Sequence, residues 1–216
     1  TDITNGEILA YASYPDFNPN NFWKTPVTNM KNWSLTDVYP PGSTFKIITV
    51  ATALDFHVLN ENSKVFDSGK LVIDKHTITN NDFKIHPHPG MITLDYLFKH
   101  SSNVGSINIA LMLNKNAYYS KLKEFGFGKK TGIDLTAESI GILPKPILWY
   151  KSKHASMGYG YGASVTAIQM ISAISAIANG GIWITPHVIK YSHEEEAEKV
   201  FNLFKEKAKD DFDFAD

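Results

Sequence analysis

The chain has 216 residues, 43% of them apolar and 20% charged, with a net charge of −1 and no cysteine. That composition supports a packed core and excludes wholesale disorder, disulfides, thiolate metal sites and a cysteine nucleophile. It leaves no basic footprint for nucleic acid, and no apolar run is long enough to span a bilayer.

In chain order, residues 6–14 (GEILAYASY) follow an Asn-Gly turn and alternate in part, which predicts a strand. Residues 15–33 are rich in Asn, Pro and aromatic side chains and predict an irregular connection. From Ser43 an almost uniformly apolar run through Leu54 predicts a buried helix. Residues 65–80 alternate in places and suggest a small hairpin, and the His86-Pro87-His88-Pro89-Gly90 stretch is loop. Helices are expected at 93–99, 103–113, 117–125 and 166–178, the last ended by Gly180-Gly181. Residues 126–146 predict loop, 182–190 a strand, and 193–209 a charged helix with an apolar stripe, leading into an acidic tail. Buried helices beside few strands point to an α+β fold with helices packed around an antiparallel sheet. The absence of a leader pattern, with strand-like sequence from the first residues, suggests a piece of a longer protein whose remaining parts hold a membrane anchor.

The chemistry concentrates in Tyr39-Pro40-Pro41-Gly42-Ser43-Thr44-Phe45-Lys46. A hydroxyl stands three residues ahead of an amine, so a helix opening at Ser43 sets Lys46 one turn above it on the same face. That is the arrangement of a serine nucleophile deprotonated by a lysine. Apolar surroundings make a Lys46 ammonium costly and favour the neutral base. The Pro-Gly turn also leaves backbone N–H groups at the helix start for a developing oxyanion. The bland alternative is an N-cap serine with a solvated lysine.

Other motifs compete less well. Ser120 and Lys123 repeat the spacing, but on a polar helix face with no turn before it. Ser101-Ser102-Asn103 lies in a loop before a helix, where side chains can enter a cleft; capping is its plain reading. Ser106 and Asn108 repeat that pattern inside an apolar helix, as core or helix-contact residues. Lys130-Thr131-Gly132 sits in a glycine-rich turn and reads as a structural loop. The Gly158–Ala163 run matches G-x-G-x-x-A, but the strand expected after it carries no acid to hold a ribose. The eight histidines show no ligand spacing and are expected to be exposed or capping, so no metal and no cofactor is expected.

The order of these pieces carries more than any one of them. GEILAYASYP is followed by LTDVYPPGSTFK (35–46), SSNVG (101–105), FGFGKKTGIDL (125–135), GYGASVT (160–166) and ANGG (178–181). Over about residues 4–190 the chain resembles the transpeptidase domain of class B penicillin-binding proteins, most closely the septal, cell-division branch. The resemblance implies a β-lactamase/transpeptidase-like α+β fold. Residues 1–190 would be a partial transpeptidase domain, and 191–216 a charged helix and acidic tail.

It further implies that Ser43 is the acylated nucleophile, Lys46 the general base, Ser101 a proton relay to the leaving amine, and Asn103 a substrate-binding residue that also holds Lys46. The implied partners are peptidoglycan stem peptides ending in D-Ala-D-Ala, β-lactams as inhibitors, and membrane proteins of division or elongation. The implied location is the periplasmic face of the inner membrane. The family's second K-T-G, on an edge strand that supplies half of the oxyanion hole, does not follow residue 190. The sheet is therefore expected to be incomplete, and loss of such a donor costs roughly 10²–10³-fold in turnover. Two alternatives follow: a catalytically impaired β-lactam-binding or division scaffold module, and a serine β-lactamase, for which no deacylating acidic pair stands out.

Overall fold

The computed structural model describes residues 1–190 together with Glu195 and Glu198. Apart from those two residues, the helix expected at 193–209 lies outside the described residues.

A helical core surrounds the segment that follows the Pro-Gly turn. A 3-10 turn, Gly42–Phe45, runs directly into α2 (Lys46–Asp55), after a single turn of helix at α1 (Trp33–Thr36). α2 is apolar on nearly every side and is covered by α4 (Asn103–Met112), α5 (Lys115–Glu124), α6 (Lys151–Gly158) and α7 (Ala167–Ala178). The shared core holds Phe45, Ile48, Ala53, Ile109, Tyr118 and Met157, all fully buried. Burial of each of the larger apolar side chains among them stabilises the fold by about 1.5–3 kcal/mol. Phe45 packs on Phe127 with ring centroids 5.1 Å apart, which anchors the start of α2.

Caps explain where the helices begin. Thr93 accepts from Tyr96 N ahead of α3 (Leu94–Lys99), and Ser102 accepts from Gly105 N (2.8 Å) ahead of α4. Thr166 and Gln169 form a reciprocal capping box at the start of α7. Gln169 is fully buried, and its amide donates to the carbonyls of Lys129 (2.8 Å) and Ile140 (2.9 Å), pinning the long 126–146 loop.

The β-structure is sparse. β1 (Lys64–Asp67) pairs antiparallel with β4 (Gly90–Thr93), and β2 (Lys70–Ile73) forms a hairpin with β3 (His76–Thr79). These are two separate two-stranded ladders, so the expected central sheet is reduced to small antiparallel pieces. The strands predicted at 6–14 and 182–190 need correction. They meet at one bridge, Glu7 with His187, where Ile8 N donates to His187 O and His187 N to Gly6 O. Strands without further neighbours gain too little pairing to propagate. Leu9, Tyr14, Ile182 and Ile189 accordingly remain exposed along this flank. Among the described residues no helix is long and apolar enough to cross a membrane.

Candidate active site

The turn that carries Ser43 is clamped from behind by the Gly-Tyr run. Tyr39 exchanges two backbone hydrogen bonds with Val165, and Gly42 N donates to Gly160 O (3.0 Å). Gly42 has φ +58° and Gly160 φ +84°, the left-handed region where a side chain is strained. The run is therefore a backing for Ser43, which accounts for its glycines without a nucleotide. Gly158 likewise lies against the Ser106 carbonyl and Ala110 of α4.

In the 3-10 turn, residues three apart eclipse one another, so Ser43 and Lys46 share a face as expected. Ser43 is exposed, whereas Lys46 is fully buried beneath it. The contact between them differs from the simple expectation. Lys46 Nζ donates to Ser101 Oγ (3.0 Å), to Asn103 Oδ1 (2.8 Å) and to the Ser101 carbonyl. Ser101 Oγ in turn donates to Ser43 Oγ (3.0 Å). Among the described residues, the hydroxyl and the amine are thus joined through Ser101. All four residues singled out in the sequence converge here.

Burial holds the Lys46 amine at a pKa of about 8, well below the ordinary lysine value, with the nearby Asp67 carboxylate opposing part of that fall. A useful fraction of neutral amine therefore exists near neutral pH. Its two hydrogens suit the Asn103 and Ser101 carbonyl oxygens, which can only accept. The remaining lone pair then faces the one neighbour able to donate, the Ser101 hydroxyl.

Ser101 owes its place to an unusual backbone, with φ +51° at the junction of α3 and α4. A non-glycine residue in this region persists only where its surroundings over-determine it. A buried polar network that sequence reasoning missed supplies the constraint. Asp67, fully buried at the end of β1, accepts from Ser102 Oγ (2.6 Å), Asn80 Nδ2 (2.8 Å) and Gly69 N (2.7 Å). Asn80 Oδ1 accepts from the backbone N–H groups of Asn103 (2.9 Å) and Val104 (3.1 Å). Asn103 Nδ2 donates to the Thr79 carbonyl (2.9 Å), which fixes its amide orientation toward Lys46. In the sequence, Asp67 and Asn80 lie at polar breaks bounding a partly alternating stretch, and their spacing carries no signature.

The decoys fall elsewhere. Ser120 and Lys123 are exposed on α5. Ser106 is buried and donates to the Ser102 carbonyl, while Asn108 donates to the Phe66 carbonyl. Lys130-Thr131-Gly132 lies in a loop, where the buried Glu138 carboxylate accepts from Thr131 N, Thr131 Oγ1 and Gly132 N.

The chain matches known proteins along most of its length. The penicillin binding protein transpeptidase domain family matches residues 1–211. The chain is 34% identical over 200 residues to peptidoglycan D,D-transpeptidase FtsI of Escherichia coli K12, covering 93% of this chain and 33% of that protein. It is 37% identical over 188 residues to stage V sporulation protein D of Bacillus subtilis 168, covering 86% of this chain and 29% of that one. Penicillin binding protein 3 of Mycobacterium tuberculosis, solved in complex with ampicillin, superposes with a TM-score of 0.75 at 28% identity, over 86% of this chain and 41% of that chain. The chain therefore spans about a third of the length of the curated relatives it matches. On the strength of the family match, the fold and the sequence identity, this chain belongs to the penicillin-binding protein transpeptidase family.

Proposed function

We propose that the chain carries the nucleophile half of a peptidoglycan D,D-transpeptidase that works through a serine acyl-enzyme. The observation that carries this reading is Ser101 Oγ, 3.0 Å from both Ser43 Oγ and Lys46 Nζ. Ser43 Oγ attacks the carbonyl carbon of the penultimate D-Ala of a stem peptide. Its proton passes to Ser101 Oγ while the Ser101 proton passes to the neutral Lys46 amine. The C–N bond to the terminal D-Ala breaks, and the Lys46 proton returns through Ser101 to the departing amine. An amine of a neighbouring stem peptide then attacks the ester, gives up its proton along the same path, and releases Ser43.

Asn103 holds Lys46 and presents its amide to the substrate. The Ser43 N–H precedes the first hydrogen bond of the 3-10 turn and can donate to the oxyanion. A β-lactam would follow the first half of this path and stop at the acyl-enzyme. We assign residues 1–190 to the transpeptidase unit and residues 191–216 to a charged appendage. The whole protein is read as acting at the periplasmic face of the inner membrane, beside division or elongation membrane proteins.

The test is acylation by a labelled penicillin, followed by mass spectrometry of the chain. Stable, stoichiometric label on Ser43, absent in Ser43→Ala, supports the reading. Rapid loss of label with product release identifies a β-lactamase instead. No label at saturating penicillin leaves a non-catalytic scaffold module.

A further inference from the structure

A second constellation includes His100, the residue immediately before Ser101. Asp82, His86 and His100 each place one ligand atom within 4.8 Å of the other two. The sequence alone suggests no metal ligands, because Asp82 and His86 share a loop, His100 lies fourteen residues further on, and the three match no ligand spacing. The fold brings them together. Residues 80–86 form a compact turn in which Phe83 N donates to Asn80 O and His86 N to Asp82 O (2.9 Å). That turn holds the Asp82 and His86 side chains toward the end of α3. His100 caps α3 and is held flat against Tyr96, with ring centroids 3.9 Å apart and planes 13° apart.

His100 Nδ1 stands 3.0 Å from Asp82 Oδ2. The His86 ring meets His100 edge-on at 5.3 Å, and among the described residues no hydrogen bond reaches it. An Asp-His pair by itself needs no third group. Here two imidazoles and a carboxylate converge, each offering one ligand atom toward a common point.

We propose that Asp82, His86 and His100 bind a divalent transition-metal ion of the zinc class. Imidazole and carboxylate ligands suit such an ion, with bonds of about 2.0–2.2 Å. The separation of His100 Nδ1 and Asp82 Oδ2 is already close to that of two ligands sharing one ion. The exposed His86 closes the remaining gap by a small side-chain adjustment, and water completes the coordination. The site ties the 80–86 turn to the residue immediately before Ser101. It is independent of the acyl-transfer reading, since none of its side chains belongs to the Ser43–Lys46 relay.

The experiment is calorimetric titration of zinc into the tag-free, chelator-treated chain, with thermal melts at each ratio. One equivalent is expected to bind and to raise the melting temperature, because the ion binds the folded state. His86→Ala removes an exposed ring without disturbing packing. It should weaken binding by more than the roughly 10–100-fold that loss of an outer-shell partner costs. Asp82→Asn should act in the same direction, while His57→Asn, an exposed histidine elsewhere, should change nothing. Absence of stoichiometric binding overturns the proposal, as does zinc binding that survives His86→Ala and Asp82→Asn unchanged.

Discussion

The carbonyl oxygen of Gly42 lies 2.1 Å from where a β-carbon on Gly160 would stand. The two residues are also joined by the Gly42 N–H to Gly160 carbonyl bond. The Ser43 turn and its backing strip are thus in backbone-to-backbone contact, with no room for a methyl group. Gly160→Ala must push the turn away, and its φ of +84° adds strain. Displacement of a reacting atom by about 1 Å costs roughly 10²-fold. Penicillin acylation of Gly160→Ala should fall by about that factor, measured as the second-order labelling rate, even where circular dichroism shows a folded protein.

The relay separates the roles of two serines. Ser43→Ala should abolish labelling. Ser101→Ala keeps the Ser43 hydroxyl and the Lys46 amine but removes the hydroxyl between them. Its labelling rate should drop by about 10²–10⁴-fold, the range for loss of a positioned proton carrier. A Ser101→Ala protein that labels at the parent rate would show that Lys46 reaches Ser43 without help.

Lys46 predicts two pH profiles. Only the neutral amine accepts a proton, so the labelling rate should climb about tenfold per pH unit below 8 and level off above it. The stability profile has its own sign. The folded pKa, about 8, lies below the ordinary 10.5, so the unfolded chain binds more protons between these values. The cost of burying the amine is fully present below pH 8 and is relieved as pH rises toward 10.5, by roughly 3 kcal/mol. Lys46→Met should lack that rise, which urea unfolding at a series of pH values would show by difference.

Asp67 acts on the same amine from below. Its carboxylate raises the Lys46 pKa, against the larger effect of burial. Asp67→Asn should move the inflection of the labelling profile to lower pH. It also replaces an acceptor oxygen with a donor amid three donors, and should destabilise the fold by about 2–4 kcal/mol. A stability loss with an unmoved inflection would confine Asp67 to scaffolding.

The Lys130-Thr131-Gly132 triplet offers a negative control. Lys130 is exposed on a loop that Glu138 organises. Lys130→Ala should leave penicillin labelling within about twofold, as for an ordinary surface change. Glu138→Ala should lower the melting temperature, since it strips three buried or half-buried donors of their acceptor.

Much of this site is legible in the sequence because its parts are local. Ser43 and Lys46 share one turn, and Ser101 and Asn103 flank the Ser102 cap at the start of α4. Thr166 and Gln169 announce α7 by the same capping logic. What sequence reasoning missed is held by distant partners. α6 (KSKHASMG) has no side-chain cap, and packing of Ala155 and Met157 makes it a helix. The alternation at 6–14 is real, but a strand also needs neighbours, and the bridge to His187 is a single rung. Asp67, Asn80 and His100 acquire their roles only when β1, the hairpin and α3 meet.

Lys46 and Ser101 are 55 residues apart, and Lys46 and Asn103 are 57 apart. Closing that loop costs entropy before any contact between α2 and α4 repays it. A collapsed chain with helices but no docking of these two elements would hold every reactive group and still be inert toward penicillin. Covalent capture of the drug after a refolding jump should therefore lag behind the far-ultraviolet signal and track tertiary assembly, making the antibiotic a clock for the last step of folding.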